Sequence, residues 1–314
     1  MRLEFFGYCF IFLFFISCSV DYEIGESFVK EQQRIVVNGY LSPGKPIQIH
    51  LYELMDSGGS YIVKGLTGSH VVLRENGIIL FDAICPDSIF VMQYNPQAGA
   101  TYSIEVIHEG LQTVKAQTGI PDAIHCRASF FSGKEYWDTS QYIVKLDSFE
   151  WPQNEGTYLW ITAYQLFENG KVVQYNELYT NNVLVDKLNS VTGMGAKNET
   201  VGSIYYNGFL RIKNKNIPHL TELLLTPNYV ADGSNYNPEG SQNGIRIKLM
   251  TASSEYDKYN KSLYEQKYRI VYDEDISSVF YQPNGVYTNV ENGLGIFAGM
   301  NEVNFVFGLP VDDH

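Results

Sequence analysis

The chain has 314 residues, of which 45% are hydrophobic, 18% charged and 14% aromatic, with 24 tyrosines. This is the composition of a folded protein and excludes collagen, coiled coil and wholesale disorder; the length suits two ordinary domains. With 22 basic against 35 acidic residues and a net charge of -13, the chain offers a phosphate backbone no electrostatic partner, so nucleic-acid binding is disfavoured.

Residues 5–16 form an apolar run of signal-peptide length, too short to span a bilayer as a helix. Next comes Phe15-Ile16-Ser17-Cys18, a small residue and then cysteine, which resembles the lipobox at which a bacterial lipoprotein is cleaved and acylated. Residues 1–17 are thus expected to be a signal peptide, Cys18 the lipid attachment and 18–32 a lipidated tether, the alternative being a signal peptide without lipidation. The acidic stretch Val20 to Glu26 resembles that of lipoproteins sent to the cell surface. Beyond residue 18 no apolar segment approaches the length of a spanning helix.

Once the leader and Cys18 are set aside, Cys85 and Cys126 are the remaining thiols. In an oxidising compartment they are a candidate disulfide; the alternative is two buried, unpaired thiols. No CxxC or Cys/His cluster is present, so no metal site is expected.

From residue 34 onward, short apolar runs alternate with turns. Arg34–Leu41 and Ile47–Tyr52 read as strands joined by a Pro/Gly turn. Val71–Glu75 and Ile78–Phe81 flank Asn76-Gly77, a hairpin signal because both central residues of a type I′ turn need positive φ. Further strands are expected at 89–94, 101–108 and 111–116, and Gly119-Ile120-Pro121-Asp122 closes the unit. Residues 33–122 are therefore expected to form an Ig-like β-sandwich.

Residues 123–314 repeat the pattern with longer strands at 142–146, 156–164, 171–175, 203–212 and 244–250, and with recurrent Asn-Gly pairs. A larger antiparallel domain is expected, a sandwich or an open barrel. It should carry one short helix near 254–266, where Ser254 and Asp257 resemble a capping box and Tyr256, Tyr259, Leu263 and Tyr264 share one face. That stripe reads as packing against the sheet before a ligand box. The fold class is mainly β.

Near the C-terminus, Phe280-Tyr281-Gln282-Pro283 and the segment Tyr287 to Gly299, containing Asn-Gly-Leu-Gly-Ile-Phe, resemble the ending of the domain-of-unknown-function 4249 family. The lipid cysteine, the first strand Ile35 to Leu41 and the segment Gly99 to Val106 occur in the family's order. The resemblance spans nearly the whole mature chain. It implies a Bacteroidota outer-membrane lipoprotein, with an N-terminal domain like the carboxypeptidase-regulatory sandwiches and an accessory role beside a TonB-dependent receptor in nutrient uptake. It carries no catalytic residues. Gly293, Gly295 and Gly299 read as fold requirements, permitting positive φ or close backbone approach.

The six histidines are scattered, no nucleophile elbow, P-loop or dinucleotide fingerprint occurs, and Asp273-Glu274-Asp275 reads as a solvated turn. No catalytic residue and no cofactor are expected. Trp137 and Trp151, at predicted loop or strand ends, are candidate ligand-contacting aromatics for a small molecule, glycan or peptide, the alternative being that they cap the sandwich; Trp160, mid-strand, belongs in the core. Three function classes stay open: a binding module, a structural or adhesive surface lipoprotein, and a hydrolase with a site assembled across loops.

Overall fold

The computed structural model describes residues 33–57, 60–134, 140–151, 156–175, 177–180, 182–186, 208–228, 242–272 and 285–309. The predicted leader and tether with Cys18, Trp137, Asp273 to Asp275, Asn284 and the predicted strand start at 203 lie outside them.

The first eight strands are β1 (Gln33–Leu41), β2 (Ile47–Ser57), β3 (Ser60–Gly65), β4 (Ser69–Glu75), β5 (Ile78–Cys85), β6 (Ile89–Met92), β7 (Thr101–Ile107) and β8 (Val114–Gly119). Period-two burial arises from the sequence: Ile35, Val37 and Leu41 of β1 and Tyr102, Ile104 and Val106 of β7 point inward and are essentially inaccessible. Strands β5-β4-β7-β8 form one sheet; β1, β2, β3 and β6 belong to the other, with β3 and β6 both paired to β2. Asn76 and Gly77 have φ of 48° and 83°, so the tight turn between β4 and β5 forms as its sequence predicts.

The second unit comprises β9 (His125–Lys134), β10 (Ser140–Glu150), β11 (Tyr158–Phe167), β12 (Val172–Gln174), β13 (Glu177–Tyr179), β14 (Val185–Asp186), β15 (Phe209–Ile212), a 3-10 turn at Asn214–His219, β16 (Glu222–Asn228), β17 (Gln242–Ala252), α1 (Ser254–Tyr272) and β18 (Leu294–Gly308). It is a sandwich, not a barrel: β13-β16-β10-β9 packs against β14-β15-β11-β17-β18 over a core that includes Ile161, Leu210, Leu223 and Leu249. Helix α1 lies on the other face of the second sheet, over Trp160, Met250 and Ala252. β11 is therefore buried on both sides, which explains its near-continuous apolar sequence.

β18 joins the two units. Its first half, Leu294 to Gly299, pairs in parallel with Val36 to Leu41 of β1; its second half, Met300 to Gly308, pairs antiparallel with β17. One ten-stranded sheet therefore runs through both units, and Val290 and Phe297 belong to the first core. The chain changes core near residue 122, but residues 290–299 return to complete the first sandwich.

The connector is pinned at the same place. Thr118 Oγ1 accepts from Gly299 N at 3.0 Å, Thr251 Oγ1 donates to Asp122 O at 2.8 Å and Asn301 Nδ2 donates to Pro121 O at 3.2 Å. A Cβ on Gly299 would stand 2.2 Å from Gly119 O, so only glycine admits this crossing.

Two expectations are corrected in detail. The strand expected at 244–250 starts earlier, at Gln242, and Gly244 within it backs onto Phe307 O. The helix is capped by Ser253, whose Oγ accepts from Tyr256 N at 3.2 Å, with Asp257 N donating to Ser253 O at 3.0 Å. Ser254 is thus the first helical residue, and Asp257 is turned to other work.

Candidate functional site

One set of polar groups of the second unit gathers on the helix side of its large sheet. Alternation puts Tyr158, Trp160, Thr162 and Tyr164 of β11, Arg246, Lys248 and Met250 of β17, Met300, Glu302 and Asn304 of β18 and Arg211 of β15 on that face. Helix α1 covers one end of it and leaves the other open beside the first unit.

Under the helix, Asp257, 1% exposed, accepts from Trp160 Nε1 at 3.0 Å and from Arg211 Nε and Nη2 at 2.6 Å each. The Arg211 guanidinium also reaches Asp186, itself held by Lys213 at 2.8 Å, and lies 5.0 Å from the Tyr158 ring centre. Fork-to-carboxylate geometry satisfies the buried charges and locks α1 to the sheet. This is an anchor, closed to solvent.

Beside the helix the face opens into a half-exposed shelf. Glu302, its side chain 11% exposed, receives Lys45 at 2.7 Å from the β1–β2 loop and Lys248 at 3.4 Å from the neighbouring strand. Burial pushes the Glu302 carboxyl up, but the two lysines outweigh that and hold it below the usual carboxylate range. Lys248 Nζ sits 5.6 Å from the Tyr164 ring centre, and Tyr40, 38% exposed, meets Tyr256 edge to face at 5.6 Å. Burial raises the phenols of Tyr164, Tyr40 and Tyr256, so all three stay protonated donors at neutral pH.

Chemically the shelf offers aromatic faces, phenol donors, two ammonium groups and an ionised carboxylate acceptor at the seam between the sandwiches. Glu302, held ionised, suits hydrogen-bond acceptance rather than proton donation.

The structure places the sequence-derived candidates elsewhere. Trp151 is half-buried, stacked on Phe149 at 5.3 Å and packed against the second core. Trp160 is 1% exposed, in the core as expected. Cys85 and Cys126 are free, the alternative to the candidate bridge: Cys85 is buried in the first core and donates to Asp87 O at 3.2 Å, while Cys126 packs against the second. Within the helical stripe, Tyr256 and Tyr264 pack on the sheet whereas Leu263 is 38% exposed. Sequence reading missed Lys45, Lys248 and Glu302; Lys248 and Glu302 fall on the face of β17 and β18 opposite the core residues Ile247, Leu249 and Phe305, where a charge reads as solvent-facing.

Among the described residues no group of three or more His, Cys, Asp or Glu side chains comes together to hold a metal, and no helix is long and apolar enough to cross a membrane. No curated protein is found to be similar to this chain. A family model described as a domain of unknown function (DUF4249) matches residues 19–305, nearly the whole chain beyond Cys18. The glycine-bearing segment 287–299 that carried the resemblance leads into and begins β18, the strand shared by both sandwiches, and the chain belongs to the DUF4249 family.

Proposed function

We propose that this chain is a lipid-anchored cell-envelope protein that serves as a non-catalytic binding module beside a TonB-dependent outer-membrane receptor. The anchor rests on the apolar run at 5–16 and on Cys18 after a small residue. The receptor partner rests on the family resemblance.

The observation that carries the binding role is the shelf of Tyr40, Tyr164 and Tyr256 around Glu302 and its two lysines. Rigid aromatic faces with a few fixed polar groups suit a glycan, peptide or other polar small molecule.

The test is affinity purification of the native lipoprotein in mild detergent, with mass spectrometry of stoichiometric partners. A TonB-dependent receptor as the main partner supports the reading, and Tyr40→Ala with Lys45→Ala should then weaken uptake of that receptor's ligand. Recovery of the protein alone, or with fibre or capsule components, overturns the stable complex.

A second reading, a structural or adhesive surface protein, is favoured by one observation. β5 is the edge of its sheet and exposes Ile78, Ile79 and Ile84, an apolar border able to accept a partner strand.

A further inference from the structure

The β2–β3 hairpin carries an apolar surface that the fold does not use. Tyr61, Ile62 and Val63 are 70%, 49% and 61% exposed. Ile62 pairs with Met55 and Met55 with Gln33, which puts all three on the face that carries Ile35 and Leu51. Those two are 1% and 0% exposed, so the opposing sheet ends before it reaches Ile62. Tyr61 and Val63 point to the other face. The hairpin therefore overhangs the sandwich with apolar groups on both sides and Lys64 as the exposed charge beside them.

Its position says what covers it. Gln33 is the first residue of β1, and Ile62 stands two strands away, roughly 10 Å. The tether of residues 19–32 thus joins the fold beside the hairpin, and even fully extended it reaches no more than roughly 50 Å from Cys18. The connector to the second unit is pinned to Gly299, which pairs with Leu41 at the opposite end of β1. Tyr40 and Lys45 lie at that far end too. A net charge of -13 removes electrostatic attraction to an anionic leaflet, leaving apolar insertion as the means of contact.

We propose that the β2–β3 hairpin is a second membrane contact: Tyr61, Ile62 and Val63 enter the headgroup boundary of the bilayer that holds the lipid anchor, fixing the shelf to face away from it. The proposal rests on the lipid-anchored reading. A Tyr ring with two aliphatic neighbours has the amphipathic character of residues that settle at a membrane interface.

The test uses the full chain with Cys126→Ser, Cys85 being buried. An environment-sensitive fluorophore is attached at Ile62→Cys, or as control at Val306→Cys, which is 61% exposed in the second unit. The protein is reconstituted in phosphatidylethanolamine and phosphatidylglycerol vesicles containing shallow nitroxide lipids, and the mass of the N-terminal peptide is read in parallel. The proposal expects a blue shift and a loss of about half the emission at position 62, with no change at 306. No quenching at 62 in acylated protein overturns it and leaves the anchor intact. A blue shift without quenching also overturns it, pointing to a protein partner or a second copy. If Cys18 carries no acyl chain the anchor reading fails, and quenching at 62 in the presence of vesicles still decides whether the hairpin meets lipid.

Discussion

Arg211 and Asp257 are 46 residues apart in sequence and form a two-pronged ion pair under the helix. Arg211→Met leaves Asp257 as a buried carboxylate with Trp160 Nε1, and should cost about 3 to 5 kcal/mol in urea unfolding. Arg211→Met with Asp257→Leu should recover a large part of that loss, because no charge is then stranded. Glu302 gives a pH signature. Its folded carboxyl sits below the ordinary range, so its ionisation stabilises the fold above the unfolded value and the contribution is lost as pH falls through the folded one. Glu302→Gln should therefore lower the urea midpoint at neutral pH, and the gap from wild type should close below about pH 4. The thiols differ from a bridged pair in a simple assay. Burial, helped by the charge of Asp147, pushes the Cys126 thiol up to about 11, and Cys85 is enclosed. Both should react slowly with a thiol reagent near pH 8 in the native protein and fully in denaturant without reductant; no reaction in denaturant would mean a disulfide. None of these partnerships is visible locally. Asp257 reads as a capping residue from its neighbours, and only the strand register brings Arg211 beneath it.

Among the elements, β18 is the most demanding and the least legible. Gly295 has φ of 99°, and a Cβ there would lie 2.2 Å from Val37 O, while at Gly299 it would lie 2.2 Å from Gly119 O. Gly295→Ala or Gly299→Ala should destabilise by about 3 kcal/mol or more, whereas Gly44→Ala, at φ 79° with open space around it, should cost only about 1 kcal/mol. Denaturant midpoints of the three variants check the ranking. Glycine lowers strand propensity, so the sequence shows no more than a bulged or sharply bent strand here, and the close approaches its glycines permit are what let it pair on both sides. β9 was missed although its sequence alternates, because the inward Cys126 and Ala128 are small and give a weak strand signal, and β16 because Leu223-Leu224-Leu225 runs into Pro227. The β4–β5 hairpin and helix α1 were legible because turn chemistry and the helical period act over a few residues. The parallel pairing of β1 with β18 has no such short-range sign.

At the scale of the molecule, sharing a strand couples the two cores. The three tryptophans, Trp137, Trp151 and Trp160, all lie after residue 122, so their fluorescence reports on the second unit while far-ultraviolet circular dichroism reports on both. The two signals should give one coincident urea transition, since losing β18 strips a sheet neighbour from β1 and β17 together. Separated midpoints would show units that fold independently. The reading of an Ig-like sandwich followed by a larger antiparallel unit, sandwich or open barrel, came from the spacing of strands and turns; the shared strand had no such sign, because it depends on a segment late in the chain returning to the first core.

That return also sets an order of events. As the chain emerges, β1 is made first and its parallel neighbour last, with the whole second unit in between. Every contact between them closes a loop of more than half the protein, a costly and slow step for a folding chain. The first sandwich must wait with one side of β1 unsatisfied until Leu294 to Gly299 arrives, an exposed border on which a holding chaperone would act. A tail clipped before that strand would leave neither unit complete, so only the finished chain acquires a closed, protease-resistant form.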